Sequence, residues 1–181
     1  MVSESTFSPV IATLSIAVVL ATLLAISLAE LRPTETLRLL LYNHVQKGMF
    51  AVAAVSMASS LYYSEYANFT PCEFCWFQRI AMYPLAVLLF VAIVTRSRLD
   101  SRYIVALAGA GLSLSIYHYQ LQLFPDQAQV CSGQVVSCTV RFVEEFGFVS
   151  IPFMAGAGFL TVLLLQVAEW RVDYLFRNGR P

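Results

Sequence analysis

Residues 71–95 read PCEFCWFQRIAMYPLAVLLFVAIVT, and this stretch decides the architecture of the whole chain. From about Trp76 to Thr95 it is apolar and carries a single charge, Arg79. A helix rises about 1.5 Å per residue and the hydrocarbon core of a bilayer is about 30 Å thick, so about 20 such residues suffice to cross it. Lipid cannot satisfy exposed backbone groups and no alternation suggests a barrel, so the run is expected to be a helix. A C-x-x-C, Cys72 and Cys75, stands at its N-terminal end. Two intervening residues permit a small disulfide ring, and the helix dipole there favours a thiolate. Pro71 suits the first turn, where an N–H would lack an intrahelical partner. A C-x-x-C also opens many zinc sites, so the motif needs its surroundings.

Outward from this stretch, four more segments have the length and apolarity of spans: about Phe7–Leu31, Lys47–Tyr63, Tyr103–Leu123 and Val149–Ala168. The composition agrees, with 59% hydrophobic and 12% charged residues among 181, against about a quarter charged in ordinary soluble domains. The first segment is expected to be retained rather than cleaved as a signal. Ser27-Leu28-Ala29 resembles a cleavage site, but Met1–Ser8 contains no Lys or Arg and the apolar stretch is long for a signal core. Thr36–Gln46 either extends the second helix or lies at the interface. The expected organisation is an N-terminal transmembrane helix and cytoplasmic linker over 1–46, a four-helix bundle over 47–168, and a cytoplasmic tail over 169–181.

The charges give this arrangement sides. Arg32, Arg38 and Lys47 follow the first span; Arg96, Arg98 and Arg102 follow the third; Arg171, Arg177 and Arg180 follow the fifth. Five crossings put these nine of the eleven basic residues on one side, expected to be cytoplasmic. The N-terminus is then outside and the C-terminus inside. Two outer loops, Glu65–Cys75 and Phe124–Phe148, hold or border all four cysteines: Cys72, Cys75, Cys131 and Cys138. Disulfides persist outside the cytoplasm, so this placement points to disulfide chemistry.

Arg79 lies four residues beyond Cys75, on the same helix face and one turn deeper. An ionisable group at that depth is a functional candidate, able to stabilise a Cys75 thiolate and donate to a ring carbonyl. Snorkelling, or pairing with Glu65 or Glu73, is the alternative. Cys131 and Cys138 are six residues apart and suit a disulfide-closed hairpin, either a staple or an exchangeable pair. Zinc is not expected, because the second pair lacks C-x-x-C spacing and the loops contain no histidine. Two cysteine pairs facing one compartment, one beside a membrane-embedded arginine, suggest a relay from a soluble dithiol to a two-electron acceptor in the bilayer, for which a quinone is suited.

The runs LYYSE (61–65), PCEFCWFQRIAMYP (71–84), SIYHY (115–119) and GFVSIPF (147–153), with the Cys131/Cys138 pair, resemble the DsbB disulfide-bond formation family, closest in detail to its BdbC-type branch. The resemblance covers about Lys47 to Ala168. It implies an all-α, DsbB-like four-helix transmembrane bundle, here with one additional N-terminal transmembrane helix. It further implies reoxidation of a thioredoxin-fold thiol oxidase of DsbA/BdbD type and electron delivery to quinone, ubiquinone or menaquinone. By position, Cys72 and Cys75 are the quinone-proximal pair, with Cys75 the thiolate nearest the quinone and Arg79 supporting its site. Cys131 is implied to form the mixed disulfide with the partner, and Cys138 to resolve it and exchange with Cys72. A vitamin K epoxide reductase-like order would place the loop cysteines first, which this chain does not. The reading from a different class is a structural subunit braced by inert disulfides.

Weaker features carry plainer expectations. Pro84 can kink its helix and leave a backbone carbonyl free; it and Tyr83 either border a ligand pocket or pack against other helices, packing being the default. His118 is expected to be a core or interfacial histidine rather than a proton carrier. Gly109-Ala110-Gly111 and Gly156-Ala157-Gly158 are expected to allow close helix contacts. Asn68-Phe69-Thr70 is read as a chance sequon.

Overall fold

A computed structural model describes residues 4–31, 35–127 and 137–177, with side chains over 6–28, 42–127 and 137–174. Cys131, and every expectation placed on it, lies outside the described residues. Five long helices follow one another: α1 (Glu4–Leu31), α2 (Glu35–Leu61), α3 (Glu73–Val94), α4 (Ser101–Leu123) and α5 (Ile151–Arg177). Among the described residues the one β feature is an isolated bridge between Glu145 and Val149. The chain is therefore all-helical, as the apolar runs require. The open alternative for Thr36–Gln46 is settled, because α2 is continuous from Glu35.

Helices α2, α3, α4 and α5 close a ring in which each packs on its chain neighbour and α5 returns to α2. Helix α1 stands outside the ring, chiefly against α5. Met49, Leu85, Leu89, Ile104, Phe159 and Val162 fill the centre and are almost wholly buried. Lipid tails are as apolar as these side chains, so close packing rather than water exclusion holds the ring together. Gly111 makes that packing possible: a Cβ there would lie 2.2 Å from the Phe159 ring. Gly158 faces Ser56 Oγ at 2.8 Å in the same test, whereas Gly109 meets nothing within 4 Å. Gly156 is also close-packed, its Cβ position 3.3 Å from Ser115 Cβ, so the second small-residue run does what the sequence suggested and only Gly109 of the first does not.

Among the described residues four helices, α1, α3, α4 and α5, are long and apolar enough to cross a membrane. The second of the five expected spans falls short on apolarity. Its helix is polar in part of its first half and carries Ser56, Ser59 and Ser60 toward its C-terminal end, and these serines line an internal cavity. The serines face inward, while Asn43, His44 and Lys47 are exposed.

The two ends of the bundle differ. At the basic end, Arg98 pairs with Glu169 of α5, donates to the Tyr42 carbonyl at 2.7 Å and lies 3.9 Å over the Tyr42 ring. Gln46 reaches the Ser97 carbonyl at 3.1 Å. One turn between α3 and α4 is thus tied to α2 and α5. At the other end α2 widens into a π-helical turn, Tyr62–Tyr66, before the chain descends into α3. The described cysteines sit at this end.

Candidate active site

Cys72 caps α3. Its backbone is extended (φ −74°, ψ 173°) while its carbonyl already accepts from the Trp76 N–H at 3.2 Å. Pro71 therefore stands one residue before the cap and directs the entry of the chain, rather than occupying the first turn as expected. Cys75 follows in the first turn of α3, and its Sγ lies 3.1 Å from Cys72 Sγ. Both are free thiols.

Both cysteines touch one buried cluster, and Cys75 also borders a cavity. Cys72 is buried in a cluster with Phe74, Leu121 and Cys138. His118 of α4, only 2% exposed, joins them. Its Nε2 is 3.2 Å from the Cys138 carbonyl and 3.5 Å from Cys72 Sγ, while its Nδ1 is 3.4 Å from Gln78 Nε2. A carbonyl only accepts, so Nε2 must carry a hydrogen, and the Gln78 amide donates to Nδ1. One imidazole N–H is thereby shared between Cys138 and Cys72. The Cys72 thiol is lowered from 9.0 to about 4, first by the hydrogen bond from Cys75 and then by His118, with burial opposing both. Its place at the N-terminus of a long helix acts in the same sense.

Cys75 borders a cavity of about 310 Å³ enclosed by α1, α2, α3 and α5. Arg79 and Tyr83 of α3 line it, together with the α2 serines. The Arg79 guanidinium donates from Nε to Ser60 Oγ and from Nη2 to the Ser60 carbonyl, both at 2.9 Å, and sits 5.1 Å from the Trp76 ring centroid. Among the described residues it makes no ion pair, so neither Glu65 nor Glu73 accounts for its position. Two of its five donors are used, leaving three for the cavity. Tyr83 Oη is buried in the same wall with no hydrogen-bond partner.

The loop between α4 and α5 is anchored to α4. Arg141 pairs with Glu144 at 2.8 Å and donates to the Gln122 carbonyl at 2.9 Å, and Gln122 donates to the Val140 carbonyl at 3.2 Å. Tyr119 Oη donates to the Phe148 carbonyl at 2.9 Å. Cys138, 1% exposed, is held inside this frame and is disulfide-bonded to a partner outside the described residues.

Comparison with known proteins agrees with this geometry. A family model described as "Disulfide bond formation protein DsbB" matches residues 43–169. The chain belongs to the DsbB family. It is 43% identical over 118 residues to a probable disulfide formation protein of Oceanobacillus iheyensis, covering 64% of this chain and 81% of that one. It is 37% identical over 120 residues to disulfide bond formation protein C of Bacillus subtilis, covering 65% and 86%. A third relative, probable disulfide formation protein C of Halalkalibacterium halodurans, is 38% identical over 128 residues, covering 69% and 92%. No solved structure matches. As a DsbB-family member the chain is a multi-pass membrane protein of disulfide bond formation, with an oxidoreductase role.

The structure brings Cys72, Cys75, Arg79 and Cys138 to one end of the bundle, as the motifs indicated. It also places His118 against Cys72 and Tyr83 on the cavity wall. Cys72, Cys75 and His118 also place three possible metal ligands within 4.8 Å of one another. Two thiolates on a tetrahedral zinc need sulfurs about 3.8 Å apart, and this pair is closer, at 3.1 Å.

Proposed function

We propose that this chain reoxidises an extracytoplasmic thioredoxin-fold thiol oxidase of DsbA/BdbD type and delivers the electrons to a membrane quinone. One observation carries the reading: the Cys72/Cys75 pair has a dry face against disulfide-bonded Cys138 and a cavity face against Arg79. The cavity fits a quinone head group. Its volume, about 310 Å³, is at the small end of the roughly 300–1,000 Å³ typical of ligand pockets. The unpartnered Tyr83 hydroxyl and the spare Arg79 donors match a ring that only accepts hydrogen bonds.

The steps follow thiol–disulfide exchange. A thiolate of the partner attacks Cys131, and Cys138 leaves as a thiolate. Cys138 attacks Cys72 of the Cys72–Cys75 disulfide, and Cys75 leaves. The partner's second thiol closes its own disulfide and frees Cys131, which re-forms its bond to Cys138 and releases Cys72. Two electrons have then moved inward. Free Cys72 and Cys75 beside a disulfide-bonded Cys138 correspond to this stage. His118 holds an N–H toward Cys72 Sγ and the Cys138 carbonyl, keeping the exchanging residues in register. A bound quinone would take two electrons and two protons from the Cys72/Cys75 dithiol and leave the disulfide. Arg79, fixed by Ser60, orients the ring from the wall. The Lys/Arg-rich end is assigned to the cytoplasm and the cysteine end to the outside.

The test is quinone reduction by purified protein supplied with a reduced thioredoxin-fold dithiol partner. Turnover in the wild type, lost in Cys72→Ser, Cys75→Ser, Cys131→Ser and Cys138→Ser, is expected. No turnover with benzoquinones or naphthoquinones, together with disulfides that resist mild reductant, would return the protein to a braced structural subunit.

A further inference from the structure

Helix α1 lies outside the family match, which begins at residue 43, yet it forms one wall of the cavity through Ile11, Leu14, Ser15 and Val18. It is a peripheral helix: 11% of its apolar window is buried, against 33–44% for the other three candidate spans. It touches the bundle along one seam of small side chains, Ser8, Ala12, Ser15 and Thr22, which permit close approach. Its outer end is held firmly. Tyr63 Oη donates to Ser8 Oγ at 3.3 Å, and the Phe7 ring stacks 3.8 Å from Tyr62 and 5.5 Å from Tyr63. These contacts join α1 to the π-helical turn above the cavity.

The wall is uneven. α1 packs closely on α5 and only lightly on α2. Two residues that line the cavity from facing helices are also open to the surroundings: Leu14 of α1, 47% exposed, and Val55 of α2, 43% exposed. The light packing of α1 on α2 leaves these two aliphatic side chains bordering the cavity where the two helices are least closely joined.

We propose that α1 is the lipid-side wall of the quinone cavity and that the isoprenoid tail passes out between α1 and α2, past Leu14 and Val55. The proposal rests on the quinone reading above. It assigns to the added helix the choice of where a long-tailed quinone enters, while the head group is left to Arg79 and Tyr83. A chain of isoprene units is apolar, narrow and flexible, and the rim offers it only aliphatic side chains.

Binding, rather than turnover, tests this. Trp76 lies beside Arg79 and reports quinone binding by fluorescence quenching in a Trp170→Phe background. Leu14→Phe with Val55→Phe should narrow this exit, weakening a quinone with several isoprene units about tenfold while a tailless ring analogue binds as before. A second variant, Leu14→Ala with Val55→Ala, should hasten dissociation of the long-tailed quinone and leave the tailless one unchanged. Both positions are about half exposed, and circular dichroism checks that each variant folds. Equal effects on both ligands, or no effect on either, overturn the portal. A wild type that binds neither ligand overturns the quinone reading itself, and is told apart because no variant is needed to see it.

Discussion

Cys72 and Cys75 are three residues apart on one helix, yet their sulfurs work in different surroundings. Around Cys72 the packing is tight, and both ring nitrogens of His118 are matched: Nε2 to the Cys138 carbonyl and Nδ1 to Gln78, with Cys75 against Cys72 itself. Around Cys75 there is space, and hydrogen-bonding capacity is left over, in Arg79 and Tyr83. A matched region holds a geometry, whereas an unmatched one awaits a ligand. A two-residue spacer at the start of a helix is what lets one disulfide belong to both regions.

The comparison breaks most sharply at the cysteines. With a small dithiol that bypasses the partner, Cys75→Ser should abolish quinone reduction, while Cys131→Ser should retain it and lose only partner oxidation. Equal loss in both would remove the division of labour. Next in size, Arg79→Ala should weaken quinone binding about tenfold to a hundredfold, the worth of one charged hydrogen bond, without altering exchange between the two cysteine pairs. Titration of Trp76 fluorescence measures the first effect and gel-based thiol trapping the second.

On the matched side the readout is pH. With its thiol lowered to about 4, Cys72 in the reduced protein is thiolate above that pH, and its alkylation rate should be flat through neutrality. The rate should fall only as acid protonates the sulfur. His118→Ala removes one donor to the thiolate, so the midpoint should rise by about one to two pH units, as read by mass spectrometry of iodoacetamide-trapped Cys72. An unmoved midpoint would reduce His118 to packing. The smallest effect is reserved for Tyr83→Phe. It should raise the quinone KM a few-fold at most and leave kcat alone, or else the orphan hydroxyl has no ligand to serve.

The presence and order of the helices were legible because lipid imposes a length and an apolarity on spanning segments. Their full extent was not: α2 and α5 run beyond the expected spans, from Glu35 and to Arg177. The C-x-x-C and Arg79 were legible because helical spacing stacks them on one face. His118 was not, since a single histidine in an apolar helix is ordinarily a packed one. The signal was present in the company it keeps: Ser115, His118 and Gln122 are all buried on one side of α4, a polar stripe directed into the bundle. Tyr83 gave no such sign, because only the wall it joins shows that its hydroxyl lacks a partner. The depressed apolarity of α2 was equally readable as a weak span, and its meaning came only from where Ser56, Ser59 and Ser60 point.

The Arg98 clamp has a further effect on the far end of α3. With Arg98 fastened to Tyr42 and Glu169, the 22 residues of α3 become a measuring rod about 33 Å long, close to the thickness of the oily layer. Cys72 is thereby held toward the loop that carries Cys138, and Cys75 with Arg79 toward the cavity. In the proposed function a soluble protein meets the loop cysteines and a lipid-borne oxidant meets the cavity side, each in its own phase.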